Sequence, residues 1–184
     1  MHPLKDFLIC LLVLSFYCSA ELFSQEINIP SHWKKLERMD YELHYPEAWQ
    51  FSESGEVDTR FILLAPNVLE NDSFRENINL VVQDLSEINH TIDLTMYAEI
   101  SKSQILSMVK NVQLIKAQYN ERNGQRYYEI CYAGDKEEFE LKWLQYYWVI
   151  EQEAFVLTYT ADQSDFDKFS TAAFKIMDAF KIIK

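Results

Sequence analysis

The chain has 184 residues, 29 of them acidic against 17 basic, for a net charge of −12. This length fits one domain that buries roughly two-thirds of its unfolded surface without staples. The negative balance argues against nucleic acid or anionic lipid as the main partner, and the scatter of the acidic residues reads as solubility.

Residues 1–20 read as a secretory signal peptide. Lys5 supplies a basic start, residues 7–17 form an apolar run broken only by Ser15, and Cys18-Ser19-Ala20 places small residues at a cleavage site. The run is too short to span a bilayer. Cleavage as late as residue 25 is a second option. A third is a lipid on Cys18, which the bulky Phe16-Tyr17 disfavours. Residues 26–184 are then expected to form a single exported domain, periplasmic or extracellular, and membrane-anchored only if Cys18 is lipidated. Loss of the leader removes Cys10 and Cys18 and leaves Cys131 alone, so no internal disulfide is expected. Cys131 lies between Ile130 and Tyr132 with no nearby cation, which reads as a buried, inert thiol.

Beyond the leader, hydrophobic patterning predicts seven strands and two helices. Tyr41, Leu43 and Tyr45 alternate up to Pro46. Strands over 60–65 and 78–85 follow, the first stopped by Pro66 and the second rich in β-branched residues. A helix over 94–109 gathers Leu94, Tyr97, Ala98, Ile105, Met108 and Val109 near one face. Strands over 112–119 and 125–133 flank Asn123-Gly124, the strongest hairpin signal in the chain. Strands over 139–150 and 154–161 form a second hairpin. A closing helix over 164–183 spaces Phe166, Phe169, Ala173, Ile176, Phe180 and Ile183 by three and four. Ser164 is its expected N-cap, Asp167 sits three residues on, and Lys181 and Lys184 suit its negative end.

The three glycines, Gly55, Gly124 and Gly134, each fall where a turn is wanted. None is left for a G-x-G-x-x-G or P-loop cradle. Short connections make the sheet largely antiparallel. The run from Lys142 to Ile150 is apolar on both sides of its alternation, so both faces of the sheet centre need cover. The expected architecture is α+β: a three-layer α/β/α sandwich with a mostly antiparallel sheet of about six to seven strands and two main helices.

Three segments, in order, resemble the PsbP-like superfamily. Tyr41-Glu42-Leu43-His44-Tyr45-Pro46 followed by Trp49 resembles its opening strand and turn. Phe74-Arg75-Glu76-Asn77-Ile78-Asn79-Leu80-Val81-Val82 resembles its second signature, a strand entered through Glu-Asn-hydrophobic-Asn. Phe155-Val156-Leu157-Thr158-Tyr159-Thr160-Ala161 and the closing helix resemble its C-terminal half. The similarity covers nearly all of the chain after the leader. The superfamily includes extrinsic proteins of the oxygen-evolving photosystem, a Ran-binding release factor and bacterial envelope proteins similar to DcrB. These share a fold and not a chemistry, so the resemblance implies an accessory or binding role and supplies no catalytic set.

The candidate binding surface is Trp143, Tyr147, Tyr128, Asn77 and Asn79. Asn77 and Asn79 share one strand face, as a polar site or as anchors that bond adjacent loop backbone, the second being the preferred reading. The aromatics cluster on neighbouring strands, either as a cleft or as core with cross-strand pairs, and core is again preferred. His32, His44 and His90 lack ligand spacing and would need to converge with carboxylates such as Glu42 or Asp93. The acidic turn over 135–138 lacks a twelve-residue calcium loop, and no G-x-S-x-G elbow occurs. No catalytic residue, cofactor or metal ligand is assigned. The expected function is that of an exported accessory or binding protein acting through contacts with an envelope protein. One alternative is a carrier of a small apolar ligand, with a cavity near Trp143, Tyr147 and the closing helix. The other is an unrecognised hydrolase, with converging polar groups.

Overall fold

The computed structural model describes residues 28–53, 58–67 and 74–184. The leader and the turn expected at Ser54-Gly55 lie outside them. The elements in chain order are β1 (Lys34–Glu37), β2 (Tyr41–Tyr45), β3 (Gln50–Ser52), β4 (Thr59–Leu64), β5 (Asn77–Asp84) and α1 (Leu94–Met108). Then come β6 (Lys110–Arg122), β7 (Gln125–Lys136), β8 (Phe139–Ile150), β9 (Glu153–Asp162), α2 (Phe166–Ala179) and β10 (Lys181–Ile182). Seven strands form one sheet in the order β3-β4-β5-β9-β8-β7-β6, and β1-β2-β10 form a small second sheet. Every pairing is antiparallel.

The doubly apolar β8 sits inside the large sheet with cover on both faces. Leu144, Tyr146 and Trp148 join the core that α2 closes with Ala173, Ile176, Met177 and Phe180. Leu141, Trp143 and Tyr147 face the other way, into the cluster that holds Ala98 of α1. The result is the expected three-layer α+β sandwich. The small sheet extends the α2 side: the Tyr41 ring lies 5.8 Å from both Phe61 and Phe180. Asn123 and Gly124 both have positive φ (53° and 74°), the backbone of a tight hairpin turn between β6 and β7.

Several local expectations are corrected. The strand over 41–45 belongs to the small sheet. The seventh strand of the large sheet is instead β3, three residues whose brevity hid them from pattern reading. The closing helix stops at Ala179, where Phe180 turns extended (φ −65°, ψ 136°). Lys181 and Ile182 then pair with Glu42 and Tyr41 of β2, so Lys181 serves a strand and not a helix end. Ser164 is not the N-cap: its backbone N–H and Oγ both donate to Asp162 Oδ1 (2.9 and 2.7 Å), and Asp165 holds the cap position. Met108 is 81% exposed and leaves the apolar face of α1.

Gly134 is no turn. It lies within β7, where a Cβ would meet Val109 Cγ1 at 2.5 Å and the Lys110 carbonyl oxygen at 2.8 Å. The chain leaving α1 passes too close for any side chain. Cys131 is buried as expected, yet Lys142 and Lys116 stand near enough to favour its thiolate. Burial outweighs them and pushes the thiol up.

Glu42 ties the small sheet together. Lys35 Nζ lies 2.8 Å from its carboxylate and Lys181 Nζ 3.9 Å from it. The hydrogen bond from Lys35 holds the Glu42 carboxyl below its ordinary range, against burial. A carboxyl depressed on folding stabilises the fold above its unfolded pKa and loses that contribution as pH falls through the folded value. Glu42→Gln is therefore expected to cost about 0.5–1 kcal/mol at neutral pH. The deficit should be smaller at about pH 3 than at neutral pH, because Glu42 loses this contribution as pH falls from its unfolded pKa through its lower folded one. Urea titrations at the two pH values check this. Gly134→Ala is expected to cost about 1–3 kcal/mol by overpacking. Gly124→Ala, with open space around its Cβ but a positive φ, should cost about 1 kcal/mol. The shift in denaturation midpoint measures both.

Candidate functional site

Helix α1 covers the large sheet only in part. It packs against β6, β7 and β8 and touches β5 through Tyr97, and it leaves the same face of β4 and much of β5 only half-covered. Burial records the difference. On β5, Ile78, Leu80 and Val82 are at most 2% exposed toward α2, while Asn77, Asn79 and Val81 on the other face are only half-buried. Between α1 and this open half runs a groove of about 530 Å³.

Strand register sets the floor in rows. Asn79 lies beside Thr158, and Thr158 beside Gln145; in the next row Asn77, Thr160 and Trp143 are neighbours. A third row brings Val81, Val156, Tyr147 and Tyr128 together. All five candidate surface residues thus share one face of the sheet, but only some reach the groove. Asn79 and Trp143 line it, and Tyr147 lines its narrower continuation beneath α1. Tyr128 is buried against Tyr119, ring centroids 4.9 Å apart, and belongs to the core. Asn77 donates its amide to the Arg75 carbonyl at 3.1 Å and anchors the strand entry.

The floor is held in place from below. Tyr147 OH donates to Gln145 Oε1 at 2.5 Å, and Gln145 Nε2 donates to Thr158 Oγ1 at 3.1 Å. Burial pushes the Tyr147 phenol well up, so it stays protonated and remains a donor. Tyr97 of α1 meets the Tyr147 ring edge-on at 5.7 Å and donates to Gln83 Oε1 at 2.5 Å, which clamps helix to sheet. Trp143 stacks on Tyr132 with centroids 4.9 Å apart. At one end Asp135 and Lys136 meet the groove, with Asp135 held by Asn111 Nδ2 at 2.6 Å.

Patterning missed Gln83, Gln145, Thr158 and Thr160. The alternation of Val156, Thr158 and Thr160 against Leu157, Tyr159 and Ala161 carried the signal, because two-residue spacing places all three on one face. The groove offers amides and hydroxyls, with no thiol or imidazole and a single carboxylate at its rim. Asp93, considered as a ligand, instead caps α1 by accepting from the Met96 backbone N–H at 2.8 Å. Among the described residues no three His, Cys, Asp or Glu side chains converge as a metal site.

The apolar-carrier geometry is corrected as well. Trp143 and Tyr147 face α1, on the opposite side of the sheet from α2. Between sheet and α2 the space is filled by Leu157, Tyr159, Ile176 and Met177, all fully buried, and Tyr159 OH donates to the Phe166 carbonyl at 3.0 Å.

The two asparagines separate by experiment. Asn77→Ala should cost about 1 kcal/mol of stability, the value of its hydrogen bond. The Asn79 side chain makes no hydrogen bond to the described residues, so Asn79→Ala should leave the stability within about 0.5 kcal/mol of wild type.

The same architecture occurs in known proteins. PA94 from Pseudomonas aeruginosa, of unknown function, is 16% identical with a TM-score of 0.57, covering 80% of this chain and 94% of its own. The cyanobacterial PsbP protein CyanoP from Synechocystis sp. PCC 6803 is 15% identical with a TM-score of 0.56, covering 83% and 94%. LpqN from Mycobacterium tuberculosis, involved in cell envelope biogenesis, is 13% identical with a TM-score of 0.59, covering 82% and 90%. At these identities the likeness is one of fold. No curated protein sequence matches the chain at a significant level. The PsbP family model, however, matches residues 31–182, and the chain belongs to the PsbP family.

Proposed function

We propose that this chain is an exported accessory protein of the cell envelope, non-catalytic, which docks a protein partner on the outer face of α1 and the adjoining start of β6. One observation carries the reading. Of the ten large apolar side chains exposed among the described residues, six are Met96, Ile100, Leu106, Met108, Leu114 and Ile115. An apolar surface concentrated on one helix and the strand after it marks an interaction site. A protein fits better than a bilayer, because a net charge of −12 is repelled by anionic lipid. β6 is also the long outer strand of the sheet, so its free edge offers backbone groups to a partner segment.

The signal-peptide pattern of residues 1–20 and the fold shared with LpqN support an envelope location for residues 26–184. The uncharged groove floor supports a binding role over a catalytic one.

A photo-crosslinking residue placed at Ile100, in the native host, is expected to trap one discrete envelope protein. The same residue at Lys175, exposed on α2, should not. Leu106→Asp should abolish the adduct while the circular dichroism spectrum stays unchanged. Equal labelling from both positions, or an adduct that survives Leu106→Asp, overturns the reading.

A further inference from the structure

We infer that the groove between α1 and the open half-sheet binds a neutral, hydroxyl-rich ligand of the saccharide class. This site adjoins the outer face of α1 at Met108, which lines the groove, whereas Ile100 and Leu106 do not.

The floor is uncharged on a strongly acidic chain. Asn79, Gln83, Gln145, Thr158 and Thr160 project into the groove from three adjacent strands. The charged pair Asp135 and Lys136 stands together at one end, so neither an anion nor a cation finds an unopposed charge along the floor.

The floor also carries unspent hydrogen-bonding capacity. Among the described residues no hydrogen bond engages the Asn79 side-chain amide, the Thr160 hydroxyl or the Trp143 indole N–H. Thr158 Oγ1 accepts from Gln145 and keeps its own proton to donate. Gln83 Oε1 accepts from Tyr97 and keeps both amide protons. Donors and acceptors thus alternate across strands spaced about 4.8 Å apart. A sugar hydroxyl both donates and accepts, so a ring bearing several hydroxyls matches this mixture. A purely apolar ligand would desolvate these groups without replacing their bonds.

The walls supply the other half of the recognition. Tyr97, Val109, Val156 and the Trp143–Tyr132 stack border the floor and present apolar surface for the C–H faces of a ring. The volume of about 530 Å³ falls within the range of small-molecule sites. The chain of bonds from Tyr147 through Gln145 to Thr158 holds the floor before a ligand arrives, which lowers the ordering cost of binding.

The test is a titration of the ¹⁵N-labelled protein with maltotriose, triacetylchitotriose and xylotriose, and with triglycine amide as the peptide probe. The reporters are the side-chain amide signals of Asn79, Gln83 and Gln145. At least one saccharide is expected to give saturable shifts with a Kd below about 10 mM. Asn79→Ala and Thr160→Val should each weaken it about tenfold, the loss of one hydrogen bond. Leu106→Asp should leave it unchanged, so failure of the docking surface and failure of the groove are read separately. No saturable shift from any saccharide at about 50 mM overturns the inference. So does equal binding by both groove variants, or a saturable response to the tripeptide alone.

Discussion

Strand β8 must be buried on both faces, and the rest of the molecule answers to that demand. Trp143 and Tyr147 point one way, Leu144, Tyr146 and Trp148 the other, and all five are at most 7% exposed. A strand at a sheet edge or under a single layer would leave one of these sets in water, at a cost of about 1.5–3 kcal/mol for each large side chain. β8 therefore lies inside the sheet, flanked by β7 and β9 through two hairpins. One helix is required above it and another below.

The two covers are unequal. Helix α2 buries Phe166, Ala173, Ile176, Met177 and Ala179, and the small sheet extends the same layer with Tyr41, Leu43 and Tyr45. Helix α1 buries only Ala98 completely, and its larger contacts, Tyr97 and Ile105, stay half-buried. Its apolar residues are spread around its circumference. It can therefore sit over β6, β7 and β8 and reach β5 only at its end, through the Tyr97–Gln83 hydrogen bond, and it also presents methionine and isoleucine to the outside.

Both features that bear on function follow from this weak cover. The flank that α1 leaves open becomes a groove floored by amides and hydroxyls, while its outer surface stays apolar. On the α2 side such polar side chains would need partners in a dry core. There Tyr159 OH donates to the Phe166 carbonyl and Arg122 Nη2 to Asp178 at 2.6 Å, although the buried Arg122 Nη1 has no hydrogen-bond partner among the described residues.

The long strands, both helices, the Asn123-Gly124 turn and the demand for cover on both faces of β8 were legible in the sequence. They rest on local chemistry: side-chain periodicity of 2 or 3.6 residues, and the positive φ that a tight hairpin needs. The strands of two to four residues, β1, β3 and β10, were not legible, because so few positions cannot display a period and pairing alone creates them. Gly134 looked like punctuation, and only the passage of Val109 and Lys110 beside it shows why no Cβ fits. Asn77 and Asn79 looked equivalent, and tertiary placement separated the strand anchor from the groove residue. By itself the sequence determined the layers and which residues share a face. The tertiary structure decided how far across the sheet α1 reaches, and so which half stays open. That extent comes from packing between segments far apart in the chain, which no local pattern encodes.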